Sequence, residues 1–184
     1  MTAAFILAGG RATRMGGMKA LAPWNGASLI EAVIGRIAPQ VTALALNARP
    51  DQAEALSLFR LPVLVDDLPL ADLGPLSGVR TALLWASGLG EDHVITAPCD
   101  MPSLPADMVA RLMAVEAADI VYFAGVRDHP LCARWNIGML PVLDAALAAA
   151  KADGGLTVMR FVERHGAIRL PTGDDAAFAN INAL

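Results

Sequence analysis

No stretch of this 184-residue chain is apolar for long enough to cross a bilayer, although 55% of its residues are hydrophobic and its mean hydropathy is +0.50. The longest uninterrupted apolar runs are six residues, at 3–8 and 145–150, against about 18 or more for a span. Basic runs are missing as well. Three consecutive Lys or Arg never occur, and 14 basic against 18 acidic residues leave a net charge of −4. That argues against a broad nucleic-acid or anionic-membrane surface, which needs a basic footprint, and leaves room only for a local basic pocket. Cysteine is scarce: Cys99 and Cys132 stand far apart with no CxxC spacing, which suits a reducing cytoplasm and argues against a structural zinc. Met1-Thr2 leads into an apolar segment without a basic n-region, so a secretory signal is not expected. Repeats and low-complexity linkers are also absent, and the length suits one domain over residues 1–184.

What is abundant is alanine, at 36 positions, a residue that lets helices pack closely at little side-chain cost. Short runs rich in Ile, Val and Leu alternate with helical patterns, the signature of an α/β domain with a mainly parallel sheet. The pattern predicts strands at 3–8, 41–47, 62–65, 93–97, 119–126 and 131–135, with a weaker one at 167–170. Helices are expected after Ser28, whose pairing with Glu31 makes a capping box, and at 51–59, 77–89, 105–115, 140–152 and 156–164. Pro105 fits a first helical turn.

Polar residues recur where the first four strands end. Strand one runs into Gly9-Gly10-Arg11-Ala12-Thr13-Arg14-Met15-Gly16-Gly17-Met18-Lys19, strand two ends at Asn47, strand three reaches Asp66-Asp67 and strand four reaches Cys99-Asp100. Carboxyl ends of parallel strands share one edge of the sheet, where ligands bind, so these segments should meet in one site. Glycines let the backbone approach a ligand, and the cations Arg11, Arg14 and Lys19 suit phosphates. The loop is neither a P-loop nor a Gly-x-Gly-x-x-Gly dinucleotide fingerprint. Asp100, between Pro98 and Met101-Pro102, is the best metal candidate, because Mg²⁺ commonly takes one or two carboxylates plus phosphate oxygens and water. A solvated loop and a simple Asp turn remain the plainer readings of the same residues. His93 and His165 read as structural, while His129, in a turn before Pro130, can line a site. Cys99 reads as a packed residue with no histidine partner rather than a nucleophile. The three tryptophans, Trp24, Trp85 and Trp135, read as core or rim residues.

Taken together, Leu7-Ala8-Gly9-Gly10, Arg14-Met15-Gly16-Gly17 with Lys19, Gly74-Pro75-Leu76-Ser77-Gly78, Pro98-Cys99-Asp100-Met101-Pro102, His129-Pro130 and Asn180-Ile181-Asn182 resemble the molybdenum cofactor guanylyltransferase family over nearly the whole chain. The resemblance implies a Rossmann-like three-layer α/β/α sandwich of nucleotidyltransferase type. It implies transfer of GMP from GTP to molybdenum-loaded molybdopterin with release of pyrophosphate and with Mg²⁺ as cofactor. Molybdoenzymes or other cofactor-biosynthesis proteins are the further partners it suggests, with no nucleic acid and no membrane. Carried over by residue, Leu7, Ala8 and Gly9 hold the nucleotide through backbone groups, and Lys19 meets its phosphates. Asn47 and Asp67 meet the nucleoside, and Asp100 meets GTP and Mg²⁺. Arg14, Lys19 and Asp100 form the catalytic set, with Gly74, Gly78, Asn180 and Asn182 on the pterin side. One departure is that the loop is a residue shorter than the family's usual Gly-Gly-x-Asp-Lys and lacks its Asp. The alternatives are a related transferase using CTP or acting on a sugar phosphate, and a nucleotide- or cofactor-binding subunit without turnover.

Overall fold

The structure, a computed structural model, describes residues 2–10, 18–67, 73–153 and 156–181. In chain order its elements are β1 (Ala3–Leu7), β2 (Pro23–Trp24), β3 (Ala27–Ser28), α1 (Leu29–Ile37), β4 (Ala43–Ala48), α2 (Ala53–Ser57), β5 (Val63–Val65) and α3 (Pro75–Gly88). There follow β6 (His93–Pro98), α4 (Met108–Met113), β7 (Ile120–Ala124), β8 (Asp128–Asn136), α5 (Leu140–Asp153), α6 (Val158–Arg164) and β9 (Ile168–Pro171). Seven strands form one sheet in the order β5-β4-β1-β6-β8-β7-β9, in which β8 is antiparallel to both of its neighbours and the other pairings are parallel. The expected mainly parallel sheet is therefore present, with one reversed strand. The tiny β2–β3 hairpin turns through Asn25 and Gly26, both at positive φ, as a tight Asn-Gly turn requires.

Strand alternation divides the core in two. Ala4, Ile6 and Ala8 of the β1 segment, with Leu46, Ile95 and Phe123, pack under α1, α2 and α4; Ala3 and Phe5, with Ala45, Val94 and Trp135, pack under α3, α5 and α6. Helices thus cover both faces, the three-layer α/β/α arrangement. Such a sheet needs apolar residues on both sides of its strands, which is where much of the chain's hydrophobic excess goes. Ala82 and Ala86 on α3, fully buried, let that helix lie close to the sheet. Among the described residues, no helix is long and apolar enough to cross a membrane.

The structure departs from sequence expectation at three places. The helix expected over 51–59 is a 3₁₀ turn at Pro50–Gln52 followed by the five-residue α2. The helix expected from Pro105 starts only at Met108, because Gln40 holds the entry: its amide donates to the Pro105 carbonyl (3.1 Å) and accepts from the Val109 N–H (2.9 Å). His129-Pro130 is not a turn but lies within β8, where the pairing with β7 shifts register between Tyr122 and Phe123. Proline fits at such an irregularity because the ladder is already interrupted there. The capping box at Ser28 and Glu31 forms as expected.

Candidate active site

In the sheet, β1 has β4 on one side and β6 on the other, so the crevice at their carboxyl ends is a topological switch point, the usual ligand site of such sheets. A cavity of about 490 Å³ opens there, lined by Leu7, Ala8, Gly9, Gly10, Lys19, Asn47, Asp66, Gly74, Pro75, Pro98, Cys99, Asp100 and Leu131. The four strand ends that carry the polar residues do meet.

At one corner Lys19 Nζ donates to Asp100 Oδ2 at 2.6 Å, with the side chains 25% and 17% exposed. Lys19 lines the cavity. The other oxygen, Asp100 Oδ1, is buried and has no hydrogen-bond partner among the described residues. A buried carboxylate oxygen left without a donor is costly unless something else meets it, and a cation held also by phosphate oxygens and water fits that need. No group of three or more metal-binding side chains occurs among the described residues. Cys99 is a wall residue: burial, then the neighbouring Asp100 charge, pushes its thiol up to about 12, so it stays protonated and supplies no nucleophile.

The opposite corner is built around Asn47, buried at 3% exposure. Its amide nitrogen donates to Asp66 Oδ1 at 2.7 Å, and the Thr81 hydroxyl donates to the same oxygen at 2.6 Å. Burial pushes the Asp66 carboxyl above the usual aspartate range, against the lowering effect of those two hydrogen bonds. Two glycines make room for the arrangement. A Cβ on Gly9 would lie 2.7 Å from Asn47 Oδ1, and one on Gly78 would lie 2.8 Å from Leu7 Cδ2 and 3.0 Å from that same Oδ1. Gly74, at φ +88°, precedes α3. It and Pro75 line the cavity, so the positive end of a 14-residue helix faces it.

The comparisons with known proteins agree with this geometry. The chain matches the family described as MobA-like NTP transferase domain over residues 4–168. It is 45% identical over 180 residues to a molybdenum cofactor guanylyltransferase of Cereibacter sphaeroides, covering 97% of this chain and 89% of that one. It is 40% identical to one of Rhodobacter capsulatus, covering 86% and 84%. The chain belongs to the molybdenum cofactor guanylyltransferase family. It is a nucleotidyltransferase with the fold of that group: the solved molybdopterin-guanine dinucleotide biosynthesis protein A of Archaeoglobus fulgidus, 23% identical, superposes with a TM-score of 0.78, covering 99% of this chain and 93% of the other.

Of the residues that the family resemblance singles out, Leu7, Ala8, Gly9, Lys19, Asn47, Gly74 and Asp100 line the cavity, and Gly78 packs directly behind Asn47 and Leu7. Asp67 does not line it. Its carboxylate is 62% exposed and pairs at 2.6 Å with Arg80, whose Nε donates to Asp144 on α5. Asn180 is exposed and is not a lining residue, although its neighbour Ile181 donates its N–H to the Asp100 carbonyl at 2.9 Å. Arg14 and Asn182 lie outside the described residues. Of the adjacent pair it is Asp66 that lines the cavity, whereas the family resemblance pointed to Asp67. Strand parity carries the missing signal: Leu64 pairs with Asn47 across β4 and β5, and Asp66, two residues on, shares that side of the strand, whereas Asp67 does not. His129 stacks on Phe178 at 5.2 Å rather than facing the cavity.

Proposed function

We propose that this chain transfers GMP from GTP to molybdenum-loaded molybdopterin, releasing pyrophosphate and forming the guanine dinucleotide form of the cofactor. Membership of the family supplies the substrates. The observation that carries the reading for this chain is the Lys19–Asp100 pair lining the switch-point cavity, with one Asp100 oxygen lacking a partner among the described residues. The acceptor's terminal phosphate is already an anionic nucleophile, so no protein nucleophile is needed; the enzyme must align it with the α-phosphate and offset charge on that phosphorus and on the leaving pyrophosphate.

In this reading Asp100 would hold Mg²⁺, which would supply positive charge against the phosphates. Lys19, paired with Asp100, would turn to the phosphates of bound nucleotide, and Arg14 of the loop would share that work. Leu7, Ala8 and Gly9 receive the nucleotide on their backbone, where the missing Cβ of Gly9 allows close approach. Asp66, oriented by Asn47 and Thr81, is the carboxylate that meets the nucleoside, in place of Asp67. Gly74 and Gly78 shape the pterin side, joined by Asn180 and Asn182. A cytoplasmic setting suits the two buried free thiols, Cys99 and Cys132, and a cofactor product implies hand-over to molybdoenzymes or other cofactor-biosynthesis proteins.

The test is pyrophosphate release with Mg²⁺, molybdenum-loaded molybdopterin and either GTP or CTP. Release with GTP and not CTP is expected. Release with CTP alone overturns the guanylyl assignment, and tight GTP binding without pyrophosphate overturns turnover.

A further inference from the structure

Asp100 stands just past the end of the sheet. The β1–β6 pairing ends at Leu7 with Pro98, and the β6–β8 pairing ends at Thr96 with Ala133. Beyond that, Cys99 donates its N–H to the Leu7 carbonyl at 3.1 Å, which ties the chain to β1 one residue before Asp100. The carbonyl of Asp100 itself is met from the far end of the sequence, by the N–H of Ile181 at 2.9 Å.

The segment that brings Ile181 there is anchored at every stage. Arg111 on α4 lies 4.7 Å over the Phe123 ring and donates to the carbonyls of Pro171 and Thr172, the latter at 2.9 Å. Asp175 accepts from the Thr172 hydroxyl at 2.6 Å and from the Val126 N–H at 3.2 Å, and its carboxylate fills the space where a side chain on Gly125 would stand. Phe178 is fully buried between Phe123, at 4.8 Å, and His129, at 5.2 Å. Three residues later comes the bond to Asp100. A surface tail needs none of these anchors; they make sense for a segment whose end must arrive at a defined place.

We propose that residues 172–181 form a strap that positions Asp100, with the Ile181 N–H as its working contact. By holding the Asp100 carbonyl, the strap orients the peptide from which the side chain departs, and so sets where Oδ1 points. Ile181 is a positioning residue acting through the backbone, and its side chain is secondary. The inference rests on the reading of Asp100 as the metal-binding carboxylate. It also gives residues 172–181 a role on the nucleotide side of the site, beyond the pterin-side role proposed for the asparagines that flank Ile181.

The experiment measures Mn²⁺ binding to the protein with GTP present and pterin absent, by electron paramagnetic resonance, with thermal unfolding as the check on folding. Ile181→Pro removes the N–H; Ile181→Ala keeps it. Mn²⁺ affinity is expected to fall about tenfold in Ile181→Pro, as for loss of one well-made hydrogen bond, and to stay within about twofold of the parent in Ile181→Ala. A chain ending at Asn180 removes the same donor without a proline and should match Ile181→Pro, which keeps the test decisive if the proline variant does not fold. Parent-like Mn²⁺ affinity in the chain ending at Asn180, with affinity lost in Asp100→Asn, overturns the strap and leaves the function standing. Parent-like affinity in Asp100→Asn overturns the metal reading and the strap with it.

Discussion

Two carboxylates stand at opposite corners of one cavity and are prepared in opposite ways. Asp66 has a single oxygen gripped by two uncharged donors, Asn47 and Thr81, in surroundings where burial favours its protonated form. Asp100 has a cation on one oxygen and, among the described residues, no partner on the other. The first is a scaffolded hydrogen-bonding group; the second is a charge that the described residues meet on one oxygen alone. The difference teaches that residue type alone does not assign a carboxylate's chemistry. Its partners do, by deciding whether the charge is satisfied, screened or left for a ligand.

The largest effect should come from erasing the charge at the second corner. Asp100→Asn is expected to lower kcat by about 10²–10³-fold, the scale for losing a main electrostatic contact in a transition state, with thermal unfolding close to the parent's; ordinary Mg²⁺-dependent turnover in that variant would reduce Asp100 to a turn residue. Lys19→Ala should cost about 10²-fold in pyrophosphate release, and parent-like kinetics would assign the phosphates to other cations.

The first corner should respond through binding. Asp66→Asn can keep both hydrogen bonds on its remaining oxygen, so it removes charge with little change of shape. KM for GTP is expected to rise about tenfold, as for a hydrogen bond to a charged group, with kcat less affected. An equal fall in kcat would erase the distinction between the corners. Its pH dependence follows from the raised carboxyl. The folded state holds that proton more tightly than the unfolded chain, so ionising Asp66 costs stability as pH rises from the ordinary value near 3.8 through the raised folded value. The stability of Asp66→Asn relative to the parent should therefore improve across that window and level off above it, as read by unfolding midpoints at stepped pH. Gly78→Ala pushes on the same corner from α3. Its added methyl meets Leu7 and Asn47, so a stability loss of about 1–3 kcal/mol is expected, together with weaker GTP binding. Cys99→Ser should have the smallest effect, under about twofold in turnover, because a thiol pushed up to about 12 has almost no thiolate near neutral pH. Rapid alkylation of Cys99 in the folded protein would contradict that.

Much of this is legible in the amino-acid sequence. Apolar runs separated by capped helical patterns point to the layered fold, and polar residues at four successive strand ends point to one site, because parallel strands put those ends on one edge. Boundaries were less legible where a distant side chain intervenes. Gln40 delays α4 by holding Pro105 and Val109, and β8 absorbs His129-Pro130 because β7 offers it a partner past the register shift. Neither effect is written locally in residues 105–107 or 128–130.

By itself, the amino-acid sequence determined the strand and helix order, the covering of both sheet faces and the family, since periodicity and short motifs are local properties of the chain. Only the tertiary structure decided which of two adjacent aspartates faces the cavity, because it sets the β4–β5 register that gives strand parity its meaning and supplies Asn47 and Thr81 to Asp66 and Arg80 to Asp67. It also decided that the Asp100 carbonyl is met by Ile181. Both outcomes depend on groups remote in sequence competing for the same few donors and acceptors, and that competition is settled only when the layers pack.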